Sequence, residues 1–332
     1  MRKLKVTSIS KSLFVTCLIC AAFNSATADE IPDNYDSLSA CAKQEVLWKE
    51  IRSTEHRALP ELAELGVKEV GLMAIQSLTT KVARYSDTAP KTWRKYLHRR
   101  GVVSKVKFVA SRDSEFTGLF KGADCGLVRL SLTYKPNKTS RDFAPGLALK
   151  LFRDKEGYSS NVSALYTLKG QEKDHNFFAN ALSNIVPMGD GFGLKSIHGL
   201  FKQVTGYPEQ LLLTDFAESG ADSVLVKERK APRQLFFVPN QSVLSEKASS
   251  KPHDFRTDIL KVKKGSLLYK VYAVYGKPDF NYADDYTVEM IEGFKDSASH
   301  IGDLITTSDF KASEFGDSRI FFRHEVRPKA DD

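Results

Sequence analysis

His98-Arg99-Arg100-Gly101-Val102-Val103-Ser104-Lys105-Val106-Lys107-Phe108 is the stretch at which the hydrophobic period of the chain changes. Upstream of it apolar residues recur every three or four positions, and from Val102 onward they recur every two. Val102, Ser104, Val106 and Phe108 fall on one side and Val103, Lys105, Lys107 and Val109 on the other, a spacing that predicts a strand. Short runs rich in β-formers follow near 127–132, 147–152, 162–168, 235–238, 267–275, 286–291, 301–306 and 320–322. Roughly eight or nine strands is the number that closes a small barrel, with an interior just wide enough for side chains or one ligand. A chain that is 42% hydrophobic and of this length buries one large core rather than two small ones.

Residues 29–36 are polar and read as a loose beginning to the mature chain. Leu38, Cys41, Leu47 and Ile51 then predict a first helix, and Val67, Val70, Ala74, Leu78 and Val82 place a second run on one helical face. These belong to a helical segment over 29–90, ahead of a barrel domain over 91–328. Within the barrel, Leu194, Ile197, Leu200, Phe201 and Val204 return to helical spacing before Gly206-Tyr207-Pro208 turns the chain, so 193–219 reads as a helical insertion. Residues 240–254 are rich in Ser, Lys and Pro and read as a surface loop. No internal repeat is present.

Residues 1–28 have the three parts of a secretory signal peptide: basic Arg2, Lys3, Lys5 and Lys11, an apolar run over 13–23, and Ala26-Thr27-Ala28. The run is shorter than the roughly 18 apolar residues a membrane span needs, so the expectation is a secreted or periplasmic protein with no stable span after cleavage. Loss of those four basic residues lowers the formal charge from +8 to +4. The remaining basic residues are scattered, which argues against a nucleic-acid partner. Cys17 and Cys20 leave with the signal. Cys41 and Cys125 remain, and their spacing leaves open whether they pair.

His98 and Gly101 opening a strand that reaches Phe108 resemble the distal histidine motif of the catalase superfamily. Further pieces arrive in that family's order: Gly118-Leu119-Phe120, then Leu127-Val128-Arg129-Leu130-Ser131, then Arg141-Asp142 and Gly146 through Lys150 to Phe152. Gly170-Gln171 and the Asn176 to Asn184 segment are similar to the smaller bacterial catalase-related proteins. The resemblance covers about residues 90–325 and implies an α+β fold, a catalase-like antiparallel β-barrel of about eight strands with N-terminal helices.

The resemblance implies a haem cofactor and an oxidoreductase acting on hydrogen peroxide or organic hydroperoxides. His98 would be the acid/base group, suited to proton transfer near neutral pH; Ser131 would orient its ring, and Arg129 would pair a haem propionate. Independently of any family, Arg129 and Ser131 lie two apart and so share one face of their strand. If that face lines the barrel interior, its charge needs a partner there.

The departures matter equally. The family's distal asparagine should fall near Leu165, with Asn161 the nearest, and a second arginine position is held by Pro145. The iron-ligating tyrosine has no counterpart: in Arg319-Ile320-Phe321-Phe322-Arg323 an arginine stands at its place, and a guanidinium does not ligate iron. This opens the alternative of a non-catalytic barrel binding a small apolar ligand such as a fatty acid, or of a scaffold presenting its helices to a partner. No metal-ligand spacing links His175, His198, His253, His300 and His324. Gly189-Asp190-Gly191-Phe192-Gly193 lacks the rest of a phosphate loop, and no Gly-x-Ser-x-Gly elbow is present.

Overall fold

The computed structural model describes residues 31–54, 66–69, 71–72, 87–89, 98–111, 124–132, 145–152, 159–166, 177–179, 182–184, 234–243, 254–274 and 298–322. Eight antiparallel strands form a closed barrel in chain order: β1 (Arg100–Ala110), β2 (Gly126–Leu132), β3 (Pro145–Phe152), β4 (Ser159–Tyr166), β5 (Leu182–Asn184), β6 (Gln234–Pro239), β7 (Leu267–Val274) and β8 (Ala298–Thr306). β8 pairs with β1, with Phe108 opposite Leu304, and this closes the ring. Three helices join the described part: α1 (Ala40–Ser53), α2 (Phe255–Ile259) and α3 (Glu314–Ser318).

The alternation read at 102–108 decides what goes inside. Val102, Val106 and Phe108 of β1 join Val128, Leu130 and Leu132 of β2, Leu147, Leu149 and Leu151 of β3, and apolar residues of β4, β6, β7 and β8 in one buried cluster. A cluster fed by alternate residues from strands all round the ring is the barrel interior. Among the described residues its lining is apolar and buried. Tyr269, Phe177, Phe178, Phe237 and Phe255 form its aromatic part, with ring centroids 5.7 to 6.2 Å apart.

The other face of β1–β3 is covered as well. Leu47, Trp48 and Ile51 of α1, with Tyr35 ahead of it, pack on Val103, Leu127 and Phe152, and Phe315 and Ile320 complete this second core. Each such aliphatic or aromatic side chain contributes about 1.5–3 kcal/mol when fully buried, so the helices are integral to the wall. A disulfide between Cys41 of α1 and Cys125 just ahead of β2 fastens this layer across 84 residues. Gln44 donates through Nε2 to the Gly126 carbonyl at 2.6 Å. At Gly126 a Cβ would lie 2.7 Å from the Lys150 carbonyl, so a glycine permits this close pairing of β2 with β3.

The first helix forms where its apolar spacing placed it, and strands form at seven of the expected runs. β5, of three residues, was not anticipated. Residues 320–322 do not form the last barrel strand. That place belongs to β8, and the chain after it makes α3 and then a single bridge from Ile320 to Thr88. Ser313 causes the change by capping α3, its Oγ accepting from the Gly316 N–H at 2.9 Å. The expected strand at 286–291, the insertion at 193–219, and most of the second helical run lie outside the described residues; Val67–Glu69 and Gly71–Leu72 are helical. Among the described residues no helix is long and apolar enough to cross a membrane.

Candidate functional site on the outer barrel wall

β2 is buried along its whole length, and the pairing of its residues shows which side is which. Val128, Leu130 and Leu132 point into the interior cluster. Arg129 and Ser131, on the opposite face, therefore belong to the outer wall, beneath the layer that includes α3. The polar side of β2 does not line the interior: its charge faces outward and meets a partner from the chain itself.

Ser131 Oγ lies 3.2 Å from Nδ1 of His98. The two residues named as acid/base group and orienting hydroxyl are thus in hydrogen-bond contact. A serine that engages Nδ1 orients the ring, and the tautomer sets which of the two groups donates. His98 itself adopts a left-handed backbone conformation, φ 51°, which costs a non-glycine residue roughly 1–2 kcal/mol. Arg129 holds it there by donating from Nη2 to the His98 carbonyl at 2.8 Å.

The same Nη2 donates to Oδ1 of Asp317 at 2.6 Å, in an ion pair whose side chains are 3% and 2% exposed. Asp317 comes from α3, which reaches the wall because Gly316 fits against Val103; a Cβ at Gly316 would lie 2.9 Å from a Val103 methyl. Gly101 closes the other side: a Cβ there would sit 2.7 Å from Arg129 Cζ. Arg129 Nε and Asp317 Oδ2 are buried with no hydrogen-bond partner among the described residues. The pair is held by one strong contact and by packing, not by a two-pronged fork.

This arrangement tests the haem that the resemblance implies. Arg129 is enclosed and already paired by a carboxylate of this chain, so a propionate has no surface on which to meet it. The residues present do not fit a haem anchored by Arg129. Asp317 is the site residue that sequence reasoning missed. The available signal was local: Ser313 followed by acidic residues at 314 and 317 is the pattern of a capped helix start, though nothing in it names Arg129 as the partner.

No family model matches this chain, and no curated protein or solved structure matches it either.

A second polar group lies on the same outer wall. Lys150 of β3, completely buried, donates to Asp87 Oδ1 at 2.7 Å, and Tyr35 donates its hydroxyl to Asp87 Oδ2 at 2.9 Å. Burial and the neighbouring Asp87 carboxylate push the Tyr35 phenol far above its ordinary range, so it stays protonated. Elsewhere, His300 Nε2 pairs with Asp303 at 2.9 Å on β8, opposite Tyr272 of β7, and is half-exposed.

Proposed function

We propose that this chain is an exported, catalase-related barrel that works without haem, as a binding or scaffolding protein whose working surface is the outside of the molecule. The observation that carries this reading is the buried Arg129–Asp317 pair. A propionate entering from outside has to break an ion pair already desolvated and evict α3 from the wall. The packing of Val128, Leu130 and Phe237 into one buried apolar cluster argues in the same direction against a fatty acid inside the barrel. Export is supported by the leader-like sequence of residues 1–28 and by the Cys41–Cys125 disulfide, because disulfides persist in oxidising compartments.

A second reading, haem-dependent turnover of peroxide, is favoured by the 3.2 Å contact of His98 with Ser131. One titration separates the two. Mature protein is mixed with haemin and followed by ultraviolet-visible absorption, and peroxide consumption is measured on the same samples. The first reading expects no protein-bound Soret band and background consumption. A stoichiometric Soret band, with peroxide turnover lost in His98→Ala, replaces it with the second.

A further inference from the structure

We propose that Lys150 and Asp87 form a covalent cross-link, an amide between Lys150 Nζ and the Asp87 side-chain carbonyl carbon, closed spontaneously after folding. This goes beyond the proposed function and does not depend on it.

The geometry is that of reactants held together. Nζ lies 2.7 Å from Oδ1, and the two side chains are 0% and 5% exposed. An amine at hydrogen-bond distance from a carboxyl oxygen is within about 3.5 Å of the carboxyl carbon, the separation of a near-attack arrangement. Both partners are fixed by their backbones. Lys150 sits in β3 between Leu127 of β2 and Asn161 of β4. Asp87 is pinned to the 319–321 segment, its carbonyl accepting from the Phe321 N–H at 2.9 Å, while the Ala89 N–H donates to the Arg319 carbonyl at 2.7 Å. The Phe322 ring lies 5.9 Å from Nζ, and Tyr35 belongs to the apolar cluster of this wall.

Burial supplies the driving force. Desolvating an ammonium and a carboxylate is expensive even when they pair, and condensation replaces two ions with one neutral amide. The steps balance within the site. A proton moves from the ammonium to Oδ1 along the 2.7 Å contact, giving a neutral amine and a carboxylic acid. The nitrogen lone pair attacks the carbonyl carbon; the charge that develops on Oδ2 is met by the Tyr35 hydroxyl, which already donates to that atom. Oδ1 leaves as water, carrying its own proton and a second proton lost by the nitrogen. No oxidant, reductant or co-reactant is consumed. Tyr35 is a positioning and oxyanion-stabilising group in this scheme.

The test is the intact mass of the purified mature protein, followed by peptide mapping. The expected result is a mass lower by one water than the sequence with its disulfide requires, with a branched peptide joining the segments around Lys150 and Asp87. Lys150→Arg and Asp87→Ala each restore the full mass, and Tyr35→Phe slows the appearance of the branched peptide in freshly refolded protein. An unshifted mass of the native protein overturns the proposal whatever the variants do. So does a water loss that maps elsewhere, for instance to Asp190-Gly191.

Discussion

Asp317→Ala is the perturbation that most directly probes the outer wall. It removes one member of an ion pair whose side chains are 3% and 2% exposed and leaves the Arg129 guanidinium buried with, among the described residues, the His98 carbonyl 2.8 Å away to meet its charge. Breaking a buried pair from one side costs about 3–5 kcal/mol, because an uncompensated charge stays out of water. Since Arg129 Nε and Asp317 Oδ2 already lack partners among the described residues, the pair is not a fully satisfied network, and the loss is expected near 3 kcal/mol on that same scale. At an m-value of about 3 kcal/mol per molar urea, the unfolding midpoint falls by roughly 1 M. The companion variant Arg129→Met/Asp317→Leu removes both charges and keeps the volume, and it is expected within about 1 kcal/mol of the parent protein. Urea denaturation of the three proteins provides the assay. A loss below about 1 kcal/mol for Asp317→Ala, or a double variant no better than the single one, refutes the view that electrostatic closure organises this wall.

Further outcomes follow from the same structure. Replacing Cys41 and Cys125 by serine frees a loop spanning 84 residues and is expected to cost up to about 4 kcal/mol, with hydrogen exchange increasing in α1 before the barrel strands. Gly101→Ala drives a Cβ to 2.7 Å from Arg129 Cζ; a loss of about 1–3 kcal/mol is expected, and the His98 ring resonances in NMR spectra should shift with it. Asp254 caps α2, accepting from the Arg256 N–H at 3.1 Å, and Asp254→Ala should cost about 1 kcal/mol in thermal unfolding. Burial raises the Asp254 carboxyl, but the hydrogen bonds from Arg256 outweigh it and leave the pKa below its ordinary value. The contribution is therefore complete above the unfolded-state pKa and is lost as the pH falls through the lower native value. The difference between parent and Asp254→Ala should shrink over that acidic window and stay constant at neutral pH.

The parts of the molecule that could be read from sequence are those governed by neighbours in the chain. The alternation from Val102 to Phe108 predicts β1 because side chains two apart share a face. The placement of Arg129 with Ser131, and the helix at 40–53, follow from equally local spacing. What local spacing leaves undecided is which face of a strand is inside, when both faces are covered. Every residue of β2 is buried, so although Arg129 and Ser131 mark a polar face, spacing alone does not say whether that face lines the interior or the wall beneath α1 and α3. The partners of the buried charges were hidden for a related reason. Asp317 and Arg129 stand 188 residues apart, and Asp87 and Lys150 stand 63 apart; no periodicity connects them. β5 was missed because three residues form too short a run to show alternation. The segment at 320–322 has the composition of a strand, yet the capped turn at Ser313 takes the chain off the barrel before it.

The wall over β1–β3 is assembled from the two extremes of the described chain, and this imposes a timetable. α1 is made before any strand it covers, and α3 only after β8. Until α3 arrives, the outward residues Val103 and Leu127 lack the Phe315 packing that completes their cluster, and Arg129 lacks its counterion. A chain that has not yet placed α3 therefore exposes apolar side chains and a guanidinium without its carboxylate on this flank. Docking of Asp317 thus closes the packing of this wall and neutralises its charge in a single event.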